Sequence, residues 1–339
     1  MARTLVVRLS SLGDVAMTVP VLFSVANRYP NDEFIFLTKS SLLSFYSNLK
    51  DKPQNLKVLP VYEKGKHKGI AGLARLIKEI KKEEIDQVAD LHDVLRSKSI
   101  DLVFSLQRKK VSIIEKGRKE RKALIRKDNK NFKQLTPSIE RYRKVFEKLG
   151  YDASFDFASL FPTKSKKEET RIGIAPFAKH QGKTYPPEKV EKLIQLLIVD
   201  SNKKIFLFGG KEDHLLLEEW ANKYERVESV AGKLSFQDEL LLMNDLDLMI
   251  SMDSANMHLA SLVNTPVISI WGSTHLYAGF YGYNQNPDNA VQLDLPCRPC
   301  SVFGNKPCWR KDYACMQGID PEMIVEKINT FLSKKAHTS

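Results

Sequence analysis

Ser251-Met252-Asp253-Ser254-Ala255-Asn256-Met257-His258 sits between two apolar runs. Before it stands Leu246-Asp247-Leu248-Met249-Ile250. After it come a short helical pattern, Met257 to Val263, and the run Pro266 to Trp271. That order reads strand, tight turn, helix, strand: a βαβ unit. Asp253 and Ser254 fall where strand passes into helix, a place where small polar side chains cap and the helix dipole gathers positive potential. Such a turn suits an anion, a diphosphate in particular, although an ordinary capped helix has the same composition. The following strand ends in Trp271-Gly272-Ser273-Thr274-His275. In an open parallel sheet both loops leave at the carboxyl edge, where ligands bind.

The same alternation runs outward in both directions. Towards the N-terminus, strands are expected at Thr4 to Leu9, Glu33 to Thr38, Leu56 to Val61, Gln87 to Leu91 and Val111 to Ile114. Helices are expected at Val15 to Tyr29 (kinked or started late by Pro20), Ser41 to Leu49, Gly69 to Glu84, Val94 to Leu106 and Thr136 to Leu149. Periodicity fades from Ala153 to Thr170, and Lys164-Ser165-Lys166-Lys167-Glu168-Glu169 reads as a linker. Strand and helix then alternate again from Arg171 to Asn244. Alternating βα units on both sides of a linker predict an α/β protein of two doubly wound parallel sheets. The domains are expected at 1–160 and 170–339.

At 339 residues and 42% hydrophobic content the chain can bury two cores. No apolar run is long enough to span a bilayer, and Arg8 and Asp14 break the apolar stretch that a signal peptide needs; a cytoplasmic protein is expected. The net charge of +12 favours an anionic partner. Residues 108–133 hold twelve Lys/Arg against three acids, a local excess of +9. A solvated face has the same composition. Phe132 is the one aromatic in that run, and no finger or helix-turn-helix frames it, so nucleic acid is disfavoured.

Asp14 closes the first βα turn beside Gly13, which would let the backbone turn sharply. There its carboxylate can serve as a base or simply cap the next helix. The loop Phe177-Ala178-Lys179-His180-Gln181-Gly182-Lys183-Thr184 carries two lysines that can meet charge on a departing phosphate, and it lacks the Walker pattern. Phe208-Gly209-Gly210-Lys211-Glu212-Asp213 is a similar loop at the next strand end. Asp245-Leu246-Asp247 has a D-x-D form, but at the start of a strand, on the edge away from ligands. Cys297, Cys300, Cys308 and Cys315 are spaced as C-x₂-C-x₇-C-x₆-C, which fits a structural zinc knot or unpaired thiols packed in a loop.

Several stretches resemble one family. Arg8-Leu9-Ser10-Ser11-Leu12-Gly13-Asp14-Val15 with Pro20 is similar to the opening of the bacterial ADP-heptose:lipopolysaccharide heptosyltransferases. Asp90-Leu91-His92-Asp93-Val94-Leu95-Arg96-Ser97 resembles their acceptor-domain stretch. Asp253 to Ala260, with Trp271-Gly272-Ser273-Thr274, resembles their donor signature. The resemblance implies two Rossmann-like domains facing across a cleft, the GT-B fold, with acceptor in the first domain and donor in the second. It implies an inverting transfer of heptose from ADP-heptose to a lipopolysaccharide inner-core acceptor, with no metal for the chemistry. Asp14 maps to the base. Lys183, with Lys179 less directly, maps to the diphosphate, as do Asp253, Ser254 and Ala255; the family has Gly where Ala255 stands. Gly209, Glu212, His258, Ser273 and Thr274 complete the expected donor side. Ser11, Gly13, Arg96, Arg118 and Arg121 make the expected acceptor side. The partners implied are a nucleotide sugar and an anionic lipopolysaccharide core at the inner membrane face, met peripherally, with no nucleic acid. Alternatives are a GT-B transferase or epimerase for another nucleotide sugar, a catalytically dead sensor, and a nucleic-acid binder.

Overall fold

The computed structural model describes residues 1–43, 46, 49, 52–161 and 168–336. Its contacts divide it into two units, Met1–Lys116 with Thr136–Leu160, and Gly117–Leu135 with Phe161–Ser339. The helix expected over 41–49 and the linker residues 162–167 fall largely outside the described residues.

The first unit is a five-stranded parallel sheet, β1 Arg3–Val7, β2 Glu33–Lys39, β3 Leu56–Val61, β4 Gln87–Asp90 and β5 Lys110–Ile113, in the order β3-β2-β1-β4-β5. β1 is central, and Leu5, Val6 and Val7 are fully buried, which is why this strand is an unbroken apolar run and does not alternate. The chain moves outward one way through β2 and β3, then returns past β1 to β4 and β5. The strand order therefore reverses between β1 and β4, the position where open sheets bind ligands. Val7 stands level with Leu37 and with Asp90, so the turns after β1 and β4 emerge side by side. The expected helix Val15 to Tyr29 is two helices, Leu12–Ala16 and Val19–Arg28. Pro20 sits in the first turn of the second, where its missing N–H costs nothing. Helix Ser138–Leu149 stops at Gly150, whose φ of 104° few other residues adopt readily.

The second unit is a six-stranded parallel sheet, β6 Thr170–Ala175, β7 Lys203–Leu207, β8 Val227–Ser229, β9 Leu248–Met252, β10 Val267–Trp271 and β11 Ala290–Gln292, in the order β11-β10-β9-β6-β7-β8. Its order reverses between β6 and β9. Ile172, Ile174, Leu248, Ile250, Ile268 and Ile270 form the centre of one core with Ile194 and Leu197 of helix Pro187–Ile198. Each such side chain contributes roughly 1.5–3 kcal/mol on burial. The C-terminal helix Pro321–Ala336, β11 and the helix Arg118–Leu124 have no counterpart among the expected elements.

The division expected at 160 agrees with the contacts, but the first unit is not continuous. The stretch 117–135 groups with the second unit, because it has apolar anchors there. Leu124 and Leu135 bury themselves with Ala278 against Tyr277 and Phe280, and the Leu135 N–H donates to the Tyr277 carbonyl at 2.9 Å. The basic run 108–133 is accordingly not one solvated face. Among the described residues no helix is long and apolar enough to cross a membrane.

Candidate functional site

In the first unit the turns after β1 and β4 supply the reactive groups. Ser11 occupies the N-cap of helix Leu12–Ala16, and Asp14 is that helix's third residue. The Ser11 N–H and hydroxyl both donate to Asp14 Oδ2, at 3.1 and 2.8 Å. The guanidinium of Arg8 meets the same oxygen at 2.8 Å. Arg8 itself is buried, donates to the Leu91 carbonyl at 2.7 Å and lies 5.8 Å from the Tyr142 ring centroid. All of these bonds use Oδ2, and Asp14 keeps 24% of its side-chain surface open. Burial opposes ionisation of Asp14, but Arg8 and Ser11 outweigh it and hold the carboxyl below its usual range. His92 accepts the Leu9 N–H on Nδ1 at 3.3 Å. Burial, then Arg8 and Lys116, push its pKa down to about 3, so the ring is neutral. Asp90 pins this second turn by accepting the amides of His92 at 2.7 Å and Asp93 at 3.0 Å and the Ser97 hydroxyl at 2.7 Å.

Two expectations change here. Asp14 does not close a turn; it is the third helical residue, and its carboxylate caps the helix start by accepting the Ser11 N–H, while Gly13 does not bend the chain sharply. Both are helical because the cap is Ser11, and the helix starts earlier than periodicity indicated. Ser11 and Gly13 do flank Asp14. Arg96 is engaged elsewhere, donating to the His67 carbonyl at 3.0 Å.

In the second unit the loops after β6, β9 and β10 meet. Lys183 Nζ lies 2.9 Å from Asp253 Oδ2, and the Thr274 hydroxyl donates to that same oxygen at 2.7 Å. Asp253 is buried and Lys183 mostly so. Ser254 is the N-cap residue of helix Ala255–Leu262, but its hydroxyl makes no cap bond and instead approaches Ser251 Oγ at 3.3 Å. The expectation that Asp253 and Ser254 cap this helix is thus corrected. One side chain turns to Lys183 and the other to Ser251, which leaves the first-turn amides uncapped by either and suited to an anion. His258 is buried within the same helix. The Gly182 carbonyl accepts the N–H and hydroxyl of Ser273 at 2.8 and 2.9 Å, and a Cβ at Gly182 would collide with Ser273 Oγ. That close approach is what sets Lys183 over Asp253.

Other expected donor residues are not drawn into this node. Lys179 is exposed. Gly209 and Glu212 belong to the loop after β7, where Gly210 N–H donates to Asp213 at 2.9 Å; Glu212 is exposed. Asp247 accepts the Arg171 N–H at 3.0 Å at the amino edge of the sheet, away from Asp253. Arg118 is exposed on the helix Arg118–Leu124. Arg121 is buried, with its guanidinium 4.2 Å from the Phe280 ring centroid, and both belong to the second unit.

The cysteine loop supports the site through its backbone. Cys300 and Ser301 N–H groups donate to the Ser273 carbonyl at 3.0 and 3.2 Å. Arg298, absent from the expected site, donates to the carbonyls of Gly272 at 2.5 Å and Thr274 at 3.0 Å. A lone arginine between cysteines gives no periodic signal; only its burial reveals the role. Cys315 is buried, which pushes its thiol up to about 11. Among the described residues no three of His, Cys, Asp or Glu are gathered as a metal ion would require.

The model of the family described as glycosyltransferase family 9 (heptosyltransferase) matches residues 73–307. Lipopolysaccharide heptosyltransferase 3 of Escherichia coli is 25% identical over 291 residues, covering 78% of this chain and 82% of that protein. Lipooligosaccharide heptosyltransferase 2 of Campylobacter jejuni is 25% identical over 325 residues, covering 94% and 95%. A glycosyl transferase family 9 structure from Veillonella parvula superposes with a TM-score of 0.74 at 18% identity, over 98% of both chains. The E. coli ADP-heptose lipopolysaccharide heptosyltransferase II does so at 0.68 and 15%, over 98% and 99%. The likeness of these structures shows the fold, GT-B, with two parallel-sheet α/β domains.

Proposed function

This chain belongs to glycosyltransferase family 9 (heptosyltransferase) and is a glycosyltransferase, and on that premise we propose that it moves a heptose from ADP-heptose to a lipopolysaccharide inner-core acceptor with inversion. The observation that carries this reading is the hold on Asp14: ionised, about a quarter exposed, and bound by Arg8 and Ser11 through one oxygen only. Asp14 Oδ1 takes the proton of an acceptor hydroxyl. The hydroxyl oxygen forms a bond to the anomeric carbon as the bond from that carbon to the diphosphate oxygen breaks. The electron pair leaves with ADP. Its new charge is met by the first-turn amides of helix Ala255–Leu262 and by Lys183. Asp253 and Thr274 keep the lysine in place. The scheme uses no metal. The acceptor is an anionic glycolipid, so the protein works at the cytoplasmic face of the inner membrane and binds no nucleic acid.

ADP release tests the reading. ADP should appear when ADP-heptose and a Kdo-bearing lipid acceptor are both supplied, and not with either alone. Release of UDP or GDP from another nucleotide sugar under the same conditions would replace the donor assignment.

A further inference from the structure

The helix Leu95–Leu106 turns Ile100 and Phe104 into the first unit's core. Its opposite face carries Leu95, Leu102 and Leu106, which are 85%, 61% and 75% exposed. Spacings of seven and four residues put all three on one stripe, about 16 Å long at 1.5 Å per residue. The neighbouring helix Gly69–Lys81 packs Leu76 and Ile80 into the same core and exposes Ile70 at 90%. Arg96 ties the two helix starts together through the His67 carbonyl, 3.0 Å away. An exposed apolar stripe of this kind marks an interaction site. Exposed basic side chains lie on the same two helices or just past their ends: Arg75, Lys78, Lys81, Lys82 and Arg108. Within the two helices no exposed position holds a carboxylate; just past them Glu84 is exposed and pairs with Arg3. Asp101 is buried, and Glu79 is held by Lys66 at 2.9 Å.

We propose that this face rests on an anionic lipid bilayer, with the three leucines and Ile70 entering the headgroup boundary and the basic side chains meeting lipid phosphates. Two features favour a bilayer over a second copy of the chain. The patch is far smaller than the roughly 20–30 residues a side of a stable dimer. A two-fold contact would also bring each set of basic side chains against its own like. A bilayer satisfies both parts at once, because amphipathic surfaces bind through apolar insertion together with attraction to anionic headgroups. The surface lies in the unit that carries Asp14, and it extends the lipid-acceptor reading above by naming where the membrane is met.

The test is flotation of the full chain with vesicles of phosphatidylcholine alone and of phosphatidylcholine with phosphatidylglycerol, neither holding any glycolipid. The wild type should float with the anionic vesicles, and Leu95→Gln/Leu102→Gln/Leu106→Gln should lose at least about tenfold in binding. The melting temperature should not fall, since the three side chains are already exposed. A triple variant that floats like wild type, or a wild type that does not float, overturns the proposal. So does a wild-type dimer in sedimentation that the triple variant abolishes. Because the vesicles hold no acceptor, failure of heptose transfer with flotation intact would count against the functional reading and leave the surface standing.

Discussion

Arg8 and Asp14 meet at 2.8 Å on the one carboxylate oxygen that Ser11 also holds. A buried cation thereby keeps the acid ionised and fixes its rotation, while the second oxygen is left for a hydroxyl. Asp14→Asn keeps the shape and an acceptor for Ser11 but cannot take a proton. Transfer should fall by roughly 10²- to 10⁴-fold, the usual worth of a positioned base. Stability should also drop, because Arg8 then lies buried without its partner. ADP binding should be unchanged, and isothermal titration beside initial rates separates the two effects. Near-wild-type turnover at saturating acceptor would make Asp14 structural only.

The pH profile follows from the same pair. A carboxyl held below its ordinary value is still ionised in mild acid. kcat/KM should therefore stay level as pH falls and fail only beneath the usual aspartate range. Arg8→Met removes the cation and leaves burial opposed by the two Ser11 bonds only, so the acid limb should move towards neutrality. The sign for folding agrees: the depressed value contributes stability above the unfolded pKa that is lost as pH falls through the folded one. A limb that does not move would show that Arg8 does not set the charge of Asp14.

Much of this was legible in the sequence. Ten of the eleven strands among the described residues lie where apolar runs predicted them, because strands buried on both faces have a simple signature. The loops that carry Asp14, Lys183, Asp253 and Thr274 could be placed because ligands gather at strand ends. Other features were not legible. Arg8 stands in the quoted motif, but only the fold shows its charge turning back to Asp14. Arg298 acts through three-dimensional bonds to Gly272 and Thr274 across more than twenty residues. The return of 117–135 to the second unit depends on Leu124 and Leu135, two apolar residues amid charge that no periodicity exposes.

Lys183 and Lys179 share a loop, but the structure separates their roles. Lys183 is fixed on Asp253 at the helix N-terminus, and Lys179 is exposed. Lys183→Ala should lower turnover by about 10²-fold, the usual loss for one group that stabilises developing charge. Lys179→Ala should leave turnover close to wild type. Steady-state rates for the two variants decide it, and equal losses would mean that the loop rearranges when donor binds.

Asp101 offers a test in folding alone. Burial, with Asp90 beside it, pushes its carboxyl up to about 8. The folded protein then retains a proton that the unfolded chain gives up near the ordinary aspartate value. Stability is present below that unfolded value and lost as pH rises through the folded one. Asp101→Asn, neutral at every pH, should be more stable than wild type at neutral and mildly alkaline pH, by on the order of 1 kcal/mol. The gap should close in acid. Urea unfolding at several pH values measures it, and a variant that is less stable throughout would show that the carboxyl is needed for packing.

The basic helix Arg118–Leu124 divides by side. Arg118, Lys119 and Lys122 are exposed, whereas Arg121 is buried over Phe280 with its guanidinium 4.2 Å from the ring centroid. A stacked, desolvated arginine holds its helix by packing as well as by charge. Arg121→Glu places a carboxylate against an aromatic face and should cost on the order of 2 kcal/mol. Partial proteolysis should then open the stretch 117–135 first. Reversing Lys119 and Lys122 together should leave the melting temperature unchanged. If those two lysines steer an anionic acceptor, reversal should raise acceptor KM at low salt, and the difference should shrink as salt screens it. Stability lost on reversing the exposed pair, or retained in Arg121→Glu, would invert the assignment of which residue anchors the helix and which faces solvent.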